Sequence, residues 1–313
     1  MTHFLIVSLS RSGGKLLRML LDGHPSLNAI PFEHWNRSSK GDFPARRIDA
    51  FARLSLDQKL ATAGAPHVER KLRRFHPDSQ VVDIMSRWRA ASVDAQTLAA
   101  MYERFATNYF AAIGKDPARI VVNHCGSLCR LSREQLDALY GEGRHLLTIR
   151  DPRAVFASME AMLYRKFTIK HVQKRKVSET MLERHIQKLE LIDGVSTYVR
   201  EFCADYRHMM SHHAARADVV RIRFEDLVTS PEAVTKQLAA QLAIPWDKSL
   251  LEPTEFGVAR AANSSFGRQG VGIHSRAADD WVTRLSPATR RYLEENLEGE
   301  MAALGYQPLA AQV

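Results

Sequence analysis

The chain has 313 residues, a formal charge of +9 and 45% hydrophobic content. That length and apolar content suffice for a globular domain that needs no disulfides, and there is no run of about 18 apolar residues to span a membrane. The three cysteines, Cys125, Cys129 and Cys203, have neither disulfide nor zinc spacing. The charge suits either an anionic partner (nucleic acid, a phosphorylated cofactor, an acidic glycan or a membrane surface) or simply a solvated basic surface.

In chain order, the first strand is predicted at residues 4–7, Phe-Leu-Ile-Val. A glycine pair follows, and then Leu16, Leu17, Leu20 and Leu21 mark the buried stripe of a helix. Arg11 and Lys15 interrupt the early apolar stretch, so no signal peptide is read there and a cytoplasmic protein is expected. Residues 27–30 give a further strand. Residues 37–115 read as a helical insertion above the sheet, with a helix at 97–110 and a basic patch at 69–74.

Strands at 120–122, 145–149 and 219–224 come next, with another helical insertion at about 160–215 that includes the stretch 182–210. Ser230-Pro231 and Ser286-Pro287 start helices at 231–243 and 287–304, each with Ser at the N-cap and Pro in the first turn. Short strands alternating with helices imply an α/β fold with a doubly wound parallel sheet. With no repeat, low-complexity segment or linker, 1–313 reads as a single domain.

The most informative stretch is Ser10-Arg11-Ser12-Gly13-Gly14-Lys15-Leu16-Leu17, where a strand enters a glycine turn that opens a helix. Backbone N–H groups of such a turn, with the helix N-terminus, form a concave anion site. Gly14 and Lys15 fit the end of an ATP-binding loop, but Leu9 replaces its first glycine and Leu16 its magnesium-holding hydroxyl. A kinase-type phosphotransferase is therefore the alternative rather than the lead. A second strand-to-helix turn follows at Arg150-Asp151-Pro152-Arg153, with Ser158 eight residues after Arg150. Arg150 ends a strand, where ligands of open α/β sheets bind.

Together these motifs resemble the sulfotransferase family. Ser10, Arg11, Ser12, Gly13 and Leu17 match its 5′-phosphosulfate loop, and Arg150 with Ser158 matches its 3′-phosphate motif. Gly14 and Lys15 stand where the family carries hydroxyl residues, and Lys15 would supply a charged donor instead. The run Arg223-Phe224-Glu225-Asp226-Leu227 is similar to the family's Arg-Tyr-Glu-Asp-Leu, and 263–285 to the loop that covers the nucleotide, with Arg268 in reach of a phosphate. The family continuation after the loop, Leu20-Leu21-Asp22-Gly23-His24-Pro25, is also present, and His24 is read as a structural residue at the helix end.

The resemblance implies a P-loop-like sheet and sulfonate transfer from 3′-phosphoadenosine-5′-phosphosulfate, without a metal. It implies nucleotide contacts from Arg11, Ser12, Gly13, Gly14, Lys15, Leu16, Arg150, Ser158, Phe224 and Arg268. Lys15 and Arg11 would stabilise charge on the sulfonate and bridging oxygen. For the general base, Glu33 is the first candidate and His124 the second. A catalytically inactive nucleotide-binding relative is a further alternative. The acceptor is expected to be a small molecule, glycan or lipid rather than nucleic acid. Six Lys or Arg within residues 165–176 would favour an anionic one.

Overall fold

The computed structural model describes residues 3–30, 51–125, 129–167, 191–192, 195–260, 272–275, 278–279 and 281–309. Strand β1 (His3–Ser8) runs into helix α1 (Gly14–Asp22) and then β2 (Leu27–Ala29). A helical series follows: α2 (Leu56–Thr62), α3 (Ala65–Leu72), α4 (Asp78–Ala91) and α5 (Leu98–Ala112). Next come β3 (Ile120–Cys125), α6 (Arg133–Tyr140), β4 (Arg144–Ile149) and α7 (Pro152–Phe167). The two-residue strands β5 (Leu191–Ile192) and β6 (Val195–Ser196) precede α8 (Thr197–Met209), β7 (Val220–Arg223), α9 (Phe224–Thr229) and α10 (Pro231–Leu242). A small ladder of β8 (Thr254–Glu255) and β9 (Val258–Ala259) and the helices α11 (Pro287–Asn296) and α12 (Glu298–Ala303) complete the described elements.

The main sheet has five strands in the order β2-β3-β1-β4-β7, all parallel. The strands reproduce those expected from sequence to within a residue at each end, except that β3 extends three residues further, to Cys125. β1 is central and covered on both faces, so its apolar run is nearly continuous instead of alternating with polar residues. Phe4 and Ile6 face a cluster with Leu17, Leu20 and Leu21 of α1 and Leu238 and Leu242 of α10. Leu5 and Val7 face the opposite way, into a larger cluster that includes Trp88, Phe105, Tyr109, Phe156, Phe202 and Leu293.

Helix α5 is held in that second layer by a continuous stripe: Leu98, Met101, Tyr102, Phe105, Ala106, Tyr109 and Phe110 are all buried. Thr97 caps it, its hydroxyl accepting the Ala100 N–H at 3.1 Å. The expected helix at 287–304 is two helices, interrupted at Leu297, with Ser286 capping the first through the Thr289 N–H at 3.1 Å. Ser230 precedes α10 but makes no side-chain cap bond.

The chain leaves β1 toward β2 on one side and passes from β4 to β7 on the other. The strand order therefore switches between β1 and β4, and a crevice at the carboxyl ends of those strands is where such sheets bind ligands. Among the described residues, no helix is long and apolar enough to cross a membrane.

Candidate active site

Beyond Ser8 the chain turns tightly, with the Ser12 N–H donating to the Leu9 carbonyl at 3.1 Å. Two residues of the turn adopt positive φ, Arg11 at 75° and Gly13 at 101°. For Arg11, a residue with a Cβ, that conformation is strained by roughly 1–3 kcal/mol, and such strain concentrates at ligand-binding turns. Gly13 is the N-cap of α1 and brings no side-chain acceptor; the first turn holds no acidic residue. The N–H groups and positive dipole end of α1 thus face the crevice with no built-in anion.

Ser12 is fully buried, and its Oγ has no hydrogen-bond partner among the described residues. A buried hydroxyl in that state costs about 1–3 kcal/mol, which a phosphate oxygen would relieve. Leu16 instead packs against apolar clusters on either side, including Phe224, Val228 and Ala278. Its side chain therefore sits in hydrocarbon where an ATP-binding loop carries a metal-holding hydroxyl. Lys15, the second residue of α1, is half-buried.

The two sequence motifs meet here. Arg11 Nε donates to Ser158 Oγ at 3.0 Å across 147 residues, and Arg150 Nη1 donates to the Arg11 carbonyl at 3.0 Å across 139. Arg150 is buried, and its guanidinium lies 4.3 Å from the centre of the Phe224 ring. Burial pushes the Arg150 pKa down to about 10 despite the opposing pull of Glu225, so the group stays cationic at neutral pH. Phe224 also covers Gly13: a Cβ there would lie 2.4 Å from Phe224 Cδ2. Phe224 is the first residue of α9, one beyond the strand, and it wedges the loop against Arg150.

Of the other expected site residues, His124 lies in β3 with its backbone opposite Ile6 of β1, near the strand's carboxyl end. Glu33, Arg268 and most of the basic run 165–176 lie outside the described residues. His24 is structural: Pro245 O lies 2.9 Å from its Nε2, and its Nδ1 accepts the Ser26 N–H at 3.1 Å. A cavity of about 370 Å³ lies at this far end of α1, lined by Asp22, His24, Asp116 and Arg119 among others.

Sequence reasoning did not single out the residues that fix Arg150 and Asp151. Tyr206 donates its hydroxyl to the Arg150 carbonyl at 2.9 Å, and Glu225 Oε1 accepts the Asp151 N–H at 3.0 Å. Tyr306 donates to Glu225 Oε2 at 2.8 Å. Arg153 grips both oxygens of Asp151, at 3.0 Å and 2.7 Å, and ion-pairs with Glu294 at 2.6 Å. Arg153 and Glu225 stand in motifs that were readable. The two tyrosines and Glu294 come from distant segments with no local pattern to mark them.

A glycine turn, a helix N-terminus and a buried arginine thus stand together at the switch point of a parallel sheet, where open α/β sheets bind ligands. The chain belongs to the sulfotransferase family, whose model matches residues 4–248. Its fold is similar to that of the sulfotransferase domain from the curacin biosynthetic pathway, with a TM-score of 0.59 at 16% identity, covering 99% of each chain. It is equally similar to the sulfotransferase domain of the Synechococcus PCC 7002 olefin synthase, with a TM-score of 0.59 at 18% identity, covering 98% of this chain and 95% of that one. No curated protein matches the sequence.

Proposed function

We propose that this sulfotransferase moves a sulfonate from 3′-phosphoadenosine-5′-phosphosulfate to a hydroxyl or amine of its acceptor. The carrying observation is the junction of the two phosphate motifs, Arg11 on Ser158 and Arg150 on the Arg11 carbonyl, each at 3.0 Å. A ligand with a 5′-phosphosulfate and a 3′-phosphate needs two anion sites at a fixed separation, and this junction would fix the two motifs relative to each other. Ser12 Oγ, fully buried and with no partner among the described residues, fits the 5′ end, and the buried cation Arg150 fits the 3′-phosphate.

The donor supplies the sulfonate; this chain's residues bind it, orient it and stabilise charge. Arg11, Lys15 and the first N–H groups of α1 would hold the phosphosulfate end and carry the charge that builds on the bridging oxygen. As the acceptor's oxygen or nitrogen bonds to sulfur, the bond to the bridging oxygen breaks and adenosine-3′,5′-bisphosphate leaves. The acceptor's proton passes to a base, assigned first to Glu33 and second to His124. The basic run at 165–176 favours an anionic acceptor among small molecules, glycans and lipids. Leu16 in its apolar setting counts against a phosphotransferase with an ATP-type loop.

The test is incubation with sulfur-labelled donor and fractionated acceptor extracts, followed by mass spectrometry for a gain of one sulfonate. Glu33→Gln should lower turnover roughly 10²–10⁴-fold with donor affinity retained. Retained turnover moves the base to His124. Transfer of phosphate from magnesium-ATP, with no sulfonated product, would overturn the proposal.

A further inference from the structure

Sheet pairing of β4 ends at Ile149, opposite Arg223 of β7, and α7 begins only at Pro152. The peptide unit that joins Arg150 to Asp151 lies between them, with no ladder to orient it. Its two polar groups are taken by side chains from separate helices. Tyr206 of α8 donates its hydroxyl to the Arg150 carbonyl at 2.9 Å, and Glu225 Oε1 of α9 accepts the Asp151 N–H at 3.0 Å. A trans peptide is planar with its C=O and N–H on opposite sides, so two such bonds leave the plane one orientation. Turning that plane would change ψ of Arg150 and swing its side chain from the Arg11 loop, to whose carbonyl its Nη1 donates at 3.0 Å.

Glu225 is itself held. Its Oε2 accepts the Tyr306 hydroxyl at 2.8 Å, and Arg223 Nε stands 3.6 Å from the same oxygen. The Arg223 guanidinium covers the Tyr306 ring at 4.4 Å. Burial, with Glu225 beside it, pushes the Tyr306 hydroxyl well above its usual range, so it remains a donor. Phe224, the neighbour of Glu225 in the first turn of α9, lies against the Arg150 guanidinium, 4.3 Å from ring centre to Cζ. One turn of chain thus meets Arg150 at both ends, Phe224 at the guanidinium and Glu225 at the peptide that follows its Cα. Tyr306 lies beyond residue 248, outside the stretch matched by the family model.

We infer that Glu225, Tyr206 and Tyr306 are positioning residues for 3′-phosphate recognition: Glu225 and Tyr206 clamp the Arg150–Asp151 peptide, and Tyr306 sets Glu225. The inference rests on the assignment of Arg150 to the 3′-phosphate made above. The clamp needs a hydrogen-bond acceptor at position 225 and no negative charge. Glutamine keeps that acceptor and alanine does not. The pair of substitutions therefore separates the clamp from the through-space pull of the Glu225 charge on Arg150.

The experiment measures the affinities of adenosine-3′,5′-bisphosphate and adenosine-5′-monophosphate by calorimetry, on the full chain, and takes their ratio as the 3′-phosphate increment. The wild type should favour the bisphosphate by at least about ten-fold. Glu225→Ala and Tyr206→Phe should each cut that ratio by about five-fold, and Tyr306→Phe by about three-fold, with the monophosphate affinity unchanged. Glu225→Gln should keep the ratio within about two-fold of wild type. If Glu225→Ala does not fold, Tyr206→Phe, which removes one buried hydroxyl and keeps the ring, decides the matter. A wild-type ratio in Tyr206→Phe, a Glu225→Gln as impaired as Glu225→Ala, or an equal loss of both ligands overturns the inference alone. A wild type with no preference for the bisphosphate overturns the assignment of Arg150, and the inference with it.

Discussion

Gly13 is constrained twice over, by its φ of 101° and by the Phe224 ring that occupies the space of a Cβ. Gly13→Ala should therefore destabilise the fold by roughly 2–4 kcal/mol, combining left-handed strain with overpacking. The same change should push Phe224 off the Arg150 guanidinium and weaken bisphosphate binding. Urea unfolding reads the first effect, and an unchanged midpoint would mean that Phe224 yields without cost. The residue type at this position was legible as part of a glycine turn. Its partner was not, because Phe224 arrives from more than 200 residues away and carries no signal except a place in the run Arg223-Phe224-Glu225-Asp226-Leu227. Arg11 and Arg150, just past strand ends, and Ser158, in α7, were readable individually, since cations and a hydroxyl in such motifs suit phosphate. Their direct contact needed the sheet order that sets β1 beside β4.

At the scale of elements, the strands were legible because β1, β4 and β7 are short apolar runs buried on one or both faces, and α1 because its leucines fall on one stripe. The helices between β2 and β3 were hard to bound because their burial serves one another as well as the sheet: the Trp88 Nε1 of α4 donates to Met101 O of α5 at 2.9 Å. The start of β4 also carries a titratable group. His145 is buried, and burial, then Arg133 and His213, push its pKa down to about 3. Arg216 acts in the same direction and Asp218 against it. Asp137 Oδ1 lies 3.5 Å from its Nε2 and would favour the protonated ring, but Asp137 is already ion-paired to Arg133 at 2.6 Å and desolvation outweighs it.

The unfolded chain takes up this proton near pH 6.5, whereas the folded chain resists it until about pH 3. The His145 contribution is therefore complete above about pH 6.5 and is lost as pH falls toward 3. Melting temperatures taken between pH 7 and pH 4 should fall less steeply for His145→Gln than for wild type. Parallel curves would remove His145 from the acid response.

For the whole molecule, the site is assembled from both ends of the chain. The loop after β1 supplies Arg11 to Gly13, the centre supplies Arg150 and Ser158, and the C-terminal segment supplies Glu294 and Tyr306. The charge of +9 fits a protein that binds multiply charged anions, though charge alone did not distinguish a nucleotide from a nucleic acid. The proposal of a nucleotide rests on paired motifs in a fixed order, and on the parallel sheet that joins them. The most direct measurement is the thermal shift produced by adenosine-3′,5′-bisphosphate compared with that of magnesium-ATP at equal concentration. A ligand selective for the folded state stabilises it by mass action, about 2.7 kcal/mol at a hundred times its Kd. The bisphosphate should raise the melting temperature well above the value in magnesium-ATP; an equal or larger shift with magnesium-ATP would contradict sulfonate transfer from a 3′-phosphorylated donor.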